Sequence, residues 1–209
     1  MTVGELAAFL KDSVAAKALL TVVPMRGWRR SEWFDETGMK WRPPSRDVPT
    51  LGAALLFGGL APLQAANVSL GRGTPEAYQH VAASWLKGAE VARLLNDRLM
   101  PGVQFHDGRF SVPAIDGRGA ERAVPGVRVE VLDRERASPS RIGAALLWAI
   151  VTTTPDSLRV DAIRFDALMG SPRVREALLR GDDPDDVLDR ELAPAMRFRE
   201  LVRRALLYR

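Results

Sequence analysis

Tryptophan and arginine side chains are concentrated in residues 23–44, which we call the Trp/Arg segment. Indole rings stack on sugar rings or bases, and guanidinium groups bind carboxylates and phosphates. Gly38, Pro43 and Pro44 interrupt regular structure, so we expect a long loop, and such loops are usually functional. The alternative is a loop that packs its tryptophans into the core. The ligand-binding candidates here are Arg26, Trp28, Arg29, Arg30, Trp33 and Trp41.

A second segment, residues 67–74, places one arginine between two glycines, and we call it the Gly/Arg loop. Gly71 and Gly73 allow backbone amides to approach a ligand closely, and the polar side chains around them can hold hydroxyl groups. A plain turn before a helix capped by Thr74 fits the same spacing equally well. The loop is not a Walker loop, because no Gly-Lys-Ser/Thr follows. Its ligand-binding candidates are Asn67, Ser69, Arg72 and Thr74.

Carboxylates near these segments are candidates for acid–base chemistry. Glycoside hydrolysis typically needs two, one to donate a proton and one to act as base or nucleophile. Asp35 and Glu36 are the catalytic candidates, with Glu32 and Glu76 also nearby. The spacing does not show which pair faces one cleft. A separate acidic cluster at residues 182–189 is predicted to be a solvated helix start, because it lacks the order of an EF-hand loop.

Composition limits the possible functions. The chain has 209 residues, 46% of them hydrophobic, with no cysteine and two histidines, His80 and His106. Disulfides, thiolate metal sites and multi-histidine metal sites are therefore excluded. The continuous apolar stretch at 51–61 is shorter than the roughly 20 residues that cross a bilayer, and no secretory signal begins at Met1. The net charge of +4 favours anionic partners without choosing among them.

The spacing of hydrophobic residues and the positions of glycine and proline predict an α/β (α+β) protein with a mixed sheet and flanking helices. Predicted helices cover 4–10, 50–57, 87–98, 138–153, 171–181 and a last one from 183 that splits near Pro194. Predicted strands cover 19–23, 61–69, 103–112 and 127–132.

Ordered motifs along nearly the whole chain resemble those of the exo-β-N-acetylmuramidases, the NamZ-type glycoside hydrolases formerly known as a domain of unknown function. They are Val23-Pro-Met-x-Gly-Trp-x-Arg, Trp33-Phe-Asp-Glu-Thr-Gly, Trp41 with Pro43-Pro44, Asn67-x-Ser-x-Gly-Arg-Gly-Thr, Leu95-Asn96, and the ending from Phe198 to Tyr208. The resemblance is to the C-terminal half of the family. Residues 74–86 lack a glycine and a proline that the family tends to carry there, so we expect this segment to be more helical than the family pattern.

This resemblance implies a two-domain enzyme with its active site between a Rossmann-like N-terminal domain and a C-terminal domain. Family members remove N-acetylmuramic acid from the non-reducing end of peptidoglycan fragments in cell-wall recycling, are usually exported, and use no known cofactor. We expect residues 1–20 to be the end of the N-terminal domain and 21–209 to be the C-terminal domain. The expected partners are a peptidoglycan-derived saccharide and the missing N-terminal domain, with no nucleic acid and no membrane span.

Two departures from the family motifs bear on catalysis. Gln64 and Gln79 stand where the family usually carries glutamates, and glutamine cannot donate or accept a proton in acid–base catalysis. A catalytically degenerate glycan-binding module is therefore the alternative to an active hydrolase. In both interpretations we expect Trp33 and Arg72 to share one wall of a saccharide cleft. Nucleic-acid binding is less favoured, because the pI near 9.9 is its only independent support.

Overall fold

The structure is a computed structural model that describes residues 1–14, 17–112 and 122–208, without the side chains of residues 12 and 13. Two compact units divide the chain. The smaller contains Met1–Trp41 and Arg190–Arg209, and the larger contains Arg42–Asp189. The Gly/Arg loop therefore belongs to the larger unit, and the tryptophans of the Trp/Arg segment belong to the smaller one.

An antiparallel sheet with strand order β1-β3-β2 forms one side of the larger unit. The strands are β1 (His80–Ala82), β2 (Val103–Val112) and β3 (Arg122–Val131). The α/β (α+β) class is confirmed. The sheet that we expected to be mixed is antiparallel throughout the described residues, because both of its strand pairs run in opposite directions.

The side chain of Asn96 protects the outer edge of this sheet. Asn96 lies in α3 (Gly88–Asp97), beside β2. Its Nδ2 donates to the Phe105 carbonyl over 2.8 Å, and its Oδ1 accepts from the Phe105 amide over 3.0 Å. The side-chain amide thus replaces a neighbouring strand at one position and satisfies backbone groups that an edge strand otherwise leaves unpaired.

Helices α2 (Leu51–Leu60) and α4 (Pro139–Thr153) cross at unusually close range. A Cβ added at Gly59 would lie 1.6 Å from the Pro139 carbonyl oxygen, and one added at Gly143 would lie 2.0 Å from the Gly59 carbonyl oxygen. The two glycines therefore set the distance between the helix backbones. Both predicted helix starts are confirmed: Thr50 accepts a hydrogen bond from the Ala53 amide, and Pro139 occupies the first turn of α4.

The remaining helices of the larger unit follow α4 as α5 (Ala162–Met169), α6 (Pro172–Leu179) and α7 (Pro184–Arg190). The acidic cluster starts α7, as predicted, and also binds two arginines. Arg98 binds Asp183 and Asp185, while Arg141 binds Asp185 and Asp189. These ion pairs connect α7 to α4 and to the end of α3.

The smaller unit contains α1 (Val3–Val14), a 3-10 turn at Phe34–Thr37, α8 (Leu192–Val202) and a final 3-10 turn at Arg203–Ala205. Phe9 of α1 packs edge-on against Phe198 of α8, with ring centroids 5.8 Å apart. The break between α7 and α8 agrees with the predicted split near Pro194.

Three secondary-structure expectations are wrong. Residues 19–23 form no strand, and Leu19 is fully exposed, so this apolar run has no sheet partner among the described residues. Residues 61–65 form a 3-10 helix instead of extended chain. Residues 74–86 form turns and β1 instead of a helix, because pairing with β3 outweighs the weak helical preference of the segment. No described helix has the length and apolar character needed to cross a membrane.

The close crossing of α2 and α4 predicts opposite effects for two neighbouring glycines. Gly59→Ala should destabilise the larger unit by about 2–3 kcal/mol, because the added methyl group forces the helices apart. Gly58→Ala is the matched control: nothing lies within 4 Å of the added methyl, so it should stabilise α2 by up to about 1 kcal/mol. Urea unfolding followed by circular dichroism measures both changes, and equal effects would contradict this account of the crossing.

Candidate functional site

A buried ion pair holds the middle of the Trp/Arg segment. The Arg30 guanidinium donates to Glu5 Oε1 over 2.5 Å, and the Glu5 side chain is fully buried. Backbone amides of Thr2, Leu207 and Tyr208 also donate to this carboxylate. Burial raises the pKa of Glu5, but these hydrogen bonds and the Arg30 charge together lower it to about 2. Arg30 is thus committed to an internal carboxylate, and its ligand-binding role stays a prediction.

Trp28 packs on the same C-terminal residues. Its ring lies edge-on to Tyr208 with centroids 4.9 Å apart, and the Arg30 guanidinium lies 5.9 Å from the Trp28 ring centroid. The Tyr208 hydroxyl accepts a hydrogen bond from the Met25 amide over 2.9 Å. The Trp/Arg segment and the C-terminal residues both carry motifs that resemble the family. The structure gives a reason for this, because the two segments contact each other.

The predicted acids Asp35 and Glu36 lie on the surface in the short turn after Trp33. The Glu36 carboxylate accepts from the Trp33 amide over 3.0 Å, which caps the turn. Trp41 packs edge-on against Phe34, with centroids 5.1 Å apart.

The tryptophans Trp28, Trp33 and Trp41 are all half-buried, so each indole is partly packed and partly open to solvent. Arg26 and Arg29 are exposed on the same segment. Their binding roles stay predictions.

Left-handed backbone and side-chain hydrogen bonds fix the shape of the Gly/Arg loop. Gly71 has φ +64° and Gly73 has φ +83°. The Thr74 hydroxyl donates to the Gly71 carbonyl over 2.7 Å, and the Ser69 hydroxyl accepts from the Gly71 amide over 3.3 Å. Ser69 and Thr74 therefore support the loop from within, and Arg72 lies at its tip with its side chain 45% exposed.

Asn67 anchors the start of this loop. Its Nδ2 donates to the Ser157 carbonyl over 3.0 Å, and its Oδ1 accepts from the Arg159 amide over 2.8 Å. Both ends of the side-chain amide are therefore occupied by neighbouring backbone. The structure brings Asn67, Ser69, Arg72 and Thr74 together in one loop of the larger unit, whereas Trp33 lies in the smaller unit. A groove shared by Trp33 and Arg72 stays a prediction.

The two glutamines have different surroundings. Gln64 is half-buried in the 3-10 helix Ala61–Ala65. Gln79 Nε2 donates to the Pro75 carbonyl over 3.3 Å, and its Oε1 would lie 3.7 Å from a Cβ added at Gly52. An ionised glutamate at position 79 cannot donate to that carbonyl, so the amide stabilises the present turn.

Sequence reasoning missed a buried histidine beneath the Gly/Arg loop. His80 is 2% exposed, and neither ring nitrogen has a hydrogen-bond partner among the described residues. Its ring stacks on Phe110 with centroids 4.3 Å apart, and a Cβ added at Gly71 would lie 2.4 Å from its Cε1. Gly71 is therefore required both for its left-handed φ and for the space that the imidazole occupies. The only sequence signal was the absence of a side chain at position 71.

Glu76 and Arg128 face this histidine from the surface. Arg128 Nη2 lies 2.8 Å from Glu76 Oε1, and Glu76 Oε2 lies 4.0 Å from His80 Nδ1. Burial lowers the pKa of His80 to about 4, with a smaller raising effect from Glu76 and a lowering effect from Arg128. The imidazole is thus neutral at pH 7. Within the part of the chain that the structure describes, no group of three or more metal-binding side chains converges.

Comparison with known sequences places the chain in a family. The profile described as the C-terminal part of exo-β-N-acetylmuramidase NamZ matches residues 55–208, and the N-terminal profile matches residues 1–52. The chain belongs to the exo-β-N-acetylmuramidase NamZ family. This confirms the resemblance found in the motifs.

A named relative in the NamZ family agrees with this assignment. The chain is 26% identical over 209 residues to Peptidoglycan beta-N-acetylmuramidase NamZ of Bacillus subtilis (strain 168), covering 100% of this chain and 50% of that protein. It therefore spans about half the length of the curated relative it matches.

Two crystal structures of DUF1343 family proteins from Bacteroides fragilis NCTC 9343 are also similar. One has a TM-score of 0.83 and 28% identity over 99% of this chain and 56% of that one. The other has a TM-score of 0.67 and 20% identity over 100% of this chain and 56% of that one, and shows the fold alone.

The buried His80 predicts a pH dependence of folding. Between its ordinary pKa of 6.5 and its folded pKa of about 4, the unfolded chain binds a proton that the folded chain does not. Stability should therefore fall as the pH drops through this window, by about 3 kcal/mol in total. The contribution of Glu5 is lost only below pH 4.5, so the range from pH 6.5 to 4.5 isolates His80.

Urea unfolding at pH 7, 5.5 and 4.5 measures this effect, with His80→Leu as the comparison. The variant should lose most of the pH dependence across that range, because its side chain does not titrate. If the free energy of unfolding changed with pH equally in the wild type and the variant, His80 would not be the source of the pH dependence.

Proposed function

We propose that this chain is part of an exo-acting glycosidase that releases N-acetylmuramic acid from the non-reducing end of peptidoglycan fragments. The observation that carries the proposal is the match of both NamZ family profiles, in order, to residues 1–52 and 55–208. The Bacillus subtilis relative is named as a peptidoglycan β-N-acetylmuramidase, which supports a glycosidase acting on peptidoglycan.

Tryptophan and arginine side chains that are at least partly exposed suit a charged sugar. Half-buried indole rings offer apolar faces to a pyranose ring, and arginines offer donors to its carboxylate. In this proposal Trp33 and Trp41 contact sugar rings, while Arg72 binds a negatively charged group. Arg30 contributes indirectly by fixing the Trp/Arg segment through Glu5.

Catalysis is the part of this function on which the candidate acids and the two glutamines bear most directly. Of the candidate acids, Asp35 and Glu36 are exposed, and the Glu36 carboxylate already caps the turn at Trp33. Gln64 and Gln79 lack the proton that a general acid must supply. These two residues favour the second candidate function, a module that binds peptidoglycan fragments without cleaving them.

Binding of a muramic acid saccharide tests the shared part of both functions. Isothermal titration calorimetry with the disaccharide of N-acetylmuramic acid and N-acetylglucosamine should detect binding to the chain. Trp33→Leu should weaken it by about 3- to 10-fold through the lost stacking surface. Trp148→Leu is the control, because the Trp148 ring is covered by the Arg98 guanidinium, which lies 5.1 Å from the ring centroid. Absence of binding to the wild type would refute both candidate functions.

Hydrolysis separates the two candidates. We expect the wild type to bind a chromogenic N-acetylmuramide but to release the chromophore slowly, because its glutamines cannot transfer protons. Gln64→Glu combined with Gln79→Glu should raise the rate at least about 10-fold if these positions carry acid–base chemistry. Gln104→Glu, at an exposed position of β2, is the matched control. Rapid release by the wild type would exclude the binding-only module, and an unchanged rate in the double variant would remove the glutamines from the explanation.

A further inference from the structure

The two outer edges of the sheet are covered to different extents. At the outer edge of β1, Ser69 and Ala82 exchange two backbone hydrogen bonds, so a neighbouring segment occupies that edge. At the outer edge of β2, the Asn96 side chain bonds to the amide and carbonyl of Phe105 only. A strand edge with unpaired backbone groups can pair with a strand of another chain. The edge of β2 beyond Phe105 is therefore the place to look for a partner.

The direction of the backbone groups along β2 follows from the Phe105 contact. Phe105 bonds to a helix side chain, so its backbone groups point away from β3. Because this direction alternates along a strand, the amides and carbonyls of Asp107 and Arg109 also point outward. Those of Gly108, between them, are directed at Gly126 of β3. Among the described residues, none bonds to the outward backbone groups of Asp107 or Arg109, and both side chains are exposed.

The charges on this edge are complementary to a second copy of themselves. Asp107 and Arg109 have opposite charges and flank Gly108 symmetrically. A two-fold axis at Gly108 places Asp107 directly opposite the partner's Arg109, and Arg109 opposite the partner's Asp107. Directly opposed side chains of opposite charge attract each other across an antiparallel pair, whereas like charges repel. Charges on an edge usually prevent pairing, but these two favour pairing with an identical edge.

The residues around the axis permit a close approach. Gly108 would face its own copy at the narrow type of antiparallel pair, where Cα atoms lie about 4.5 Å apart, and it has no side chain to obstruct the contact. Residues 106–112 contain no proline, so each position keeps its amide. Arg109 Nη2 donates to the Ala123 carbonyl of β3, and the guanidinium has further N–H groups that can bind a carboxylate.

We propose that two copies of this chain associate through the outer edges of their β2 strands, antiparallel about a two-fold axis at Gly108. The two sheets then form one continuous sheet with the order β1-β3-β2-β2-β3-β1. Asn96 limits the shared ladder to residues 106–110, because it already occupies Phe105. A ladder of this length contains about four backbone hydrogen bonds, so the association is weak and depends on concentration. The proposal is independent of the proposed function.

Sedimentation equilibrium of the full chain tests the proposal through charge reversal and rescue. The mean mass of the wild type should rise with concentration towards that of a dimer. Asp107→Arg and Arg109→Asp should each weaken association at least about 10-fold, because each variant places like charges opposite each other. The double variant restores opposite charges and should associate within about 3-fold of the wild type. Asp156→Arg, the same charge reversal at an exposed position after α4, is the matched control and should change nothing.

Amide hydrogen exchange of the wild type locates the contact without any substitution. The amides of Asp107 and Arg109 should exchange more slowly as the concentration rises, whereas the Gly108 amide should be protected at every concentration by its bond within the sheet. A chain that stays monomeric throughout would overturn the proposal. Association that ignores both single charge reversals, or that the double variant does not recover, would overturn it as well. Protection of Asp107 and Arg109 that is independent of concentration would show that the chain covers its own edge, and would also overturn it.

Discussion

Pairing of Ser69 with Ala82 is the constraint on which the larger unit's candidate site depends. The Ser69 amide donates to the Ala82 carbonyl over 2.8 Å, and the Ala82 amide donates to the Ser69 carbonyl over 2.9 Å. Because Ala82 also belongs to β1, this bridge attaches the Gly/Arg loop to the sheet. The chain between the two residues must then turn back within a short distance. The left-handed residues and the buried imidazole beneath Gly71 are consequences of that closure.

Several ion pairs in this protein connect segments that are distant in sequence. Arg30 binds the buried Glu5, and Arg98 binds Asp183 through two bonds. The pKa of Asp183 is lowered, mainly by its hydrogen bond to Arg98. Arginine suits this task because its planar donors fit a carboxylate from a fixed direction. An excess of arginine in the composition therefore indicates internal ion pairs at least as much as anionic ligands, which sequence alone does not distinguish.

Much of the secondary structure was predictable because its signals are local. The helix that begins at Pro139 and the strand from 103 to 112 follow from a proline in the first turn and from side-chain alternation. Prediction failed where a partner decides the outcome. Leu19 to Val23 has the composition of a strand, but no strand in the described part of the chain pairs with it. His80 to Ala82 lacks a strong strand signal and becomes a strand because β3 lies beside it.

The sequence by itself determined the family, the mixed class of the fold and the set of polar residues in the Gly/Arg loop, because motif order and local spacing are properties of the chain. Only the tertiary structure decided which of those side chains is available to a ligand. Asn67, Ser69 and Thr74 bond to backbone groups that support the loop, whereas Arg72 bonds to Asp47 in a partly exposed ion pair outside it. The physical reason is that a polar group's availability depends on whether the fold already satisfies its hydrogen bonds, and those partners lie elsewhere in the sequence.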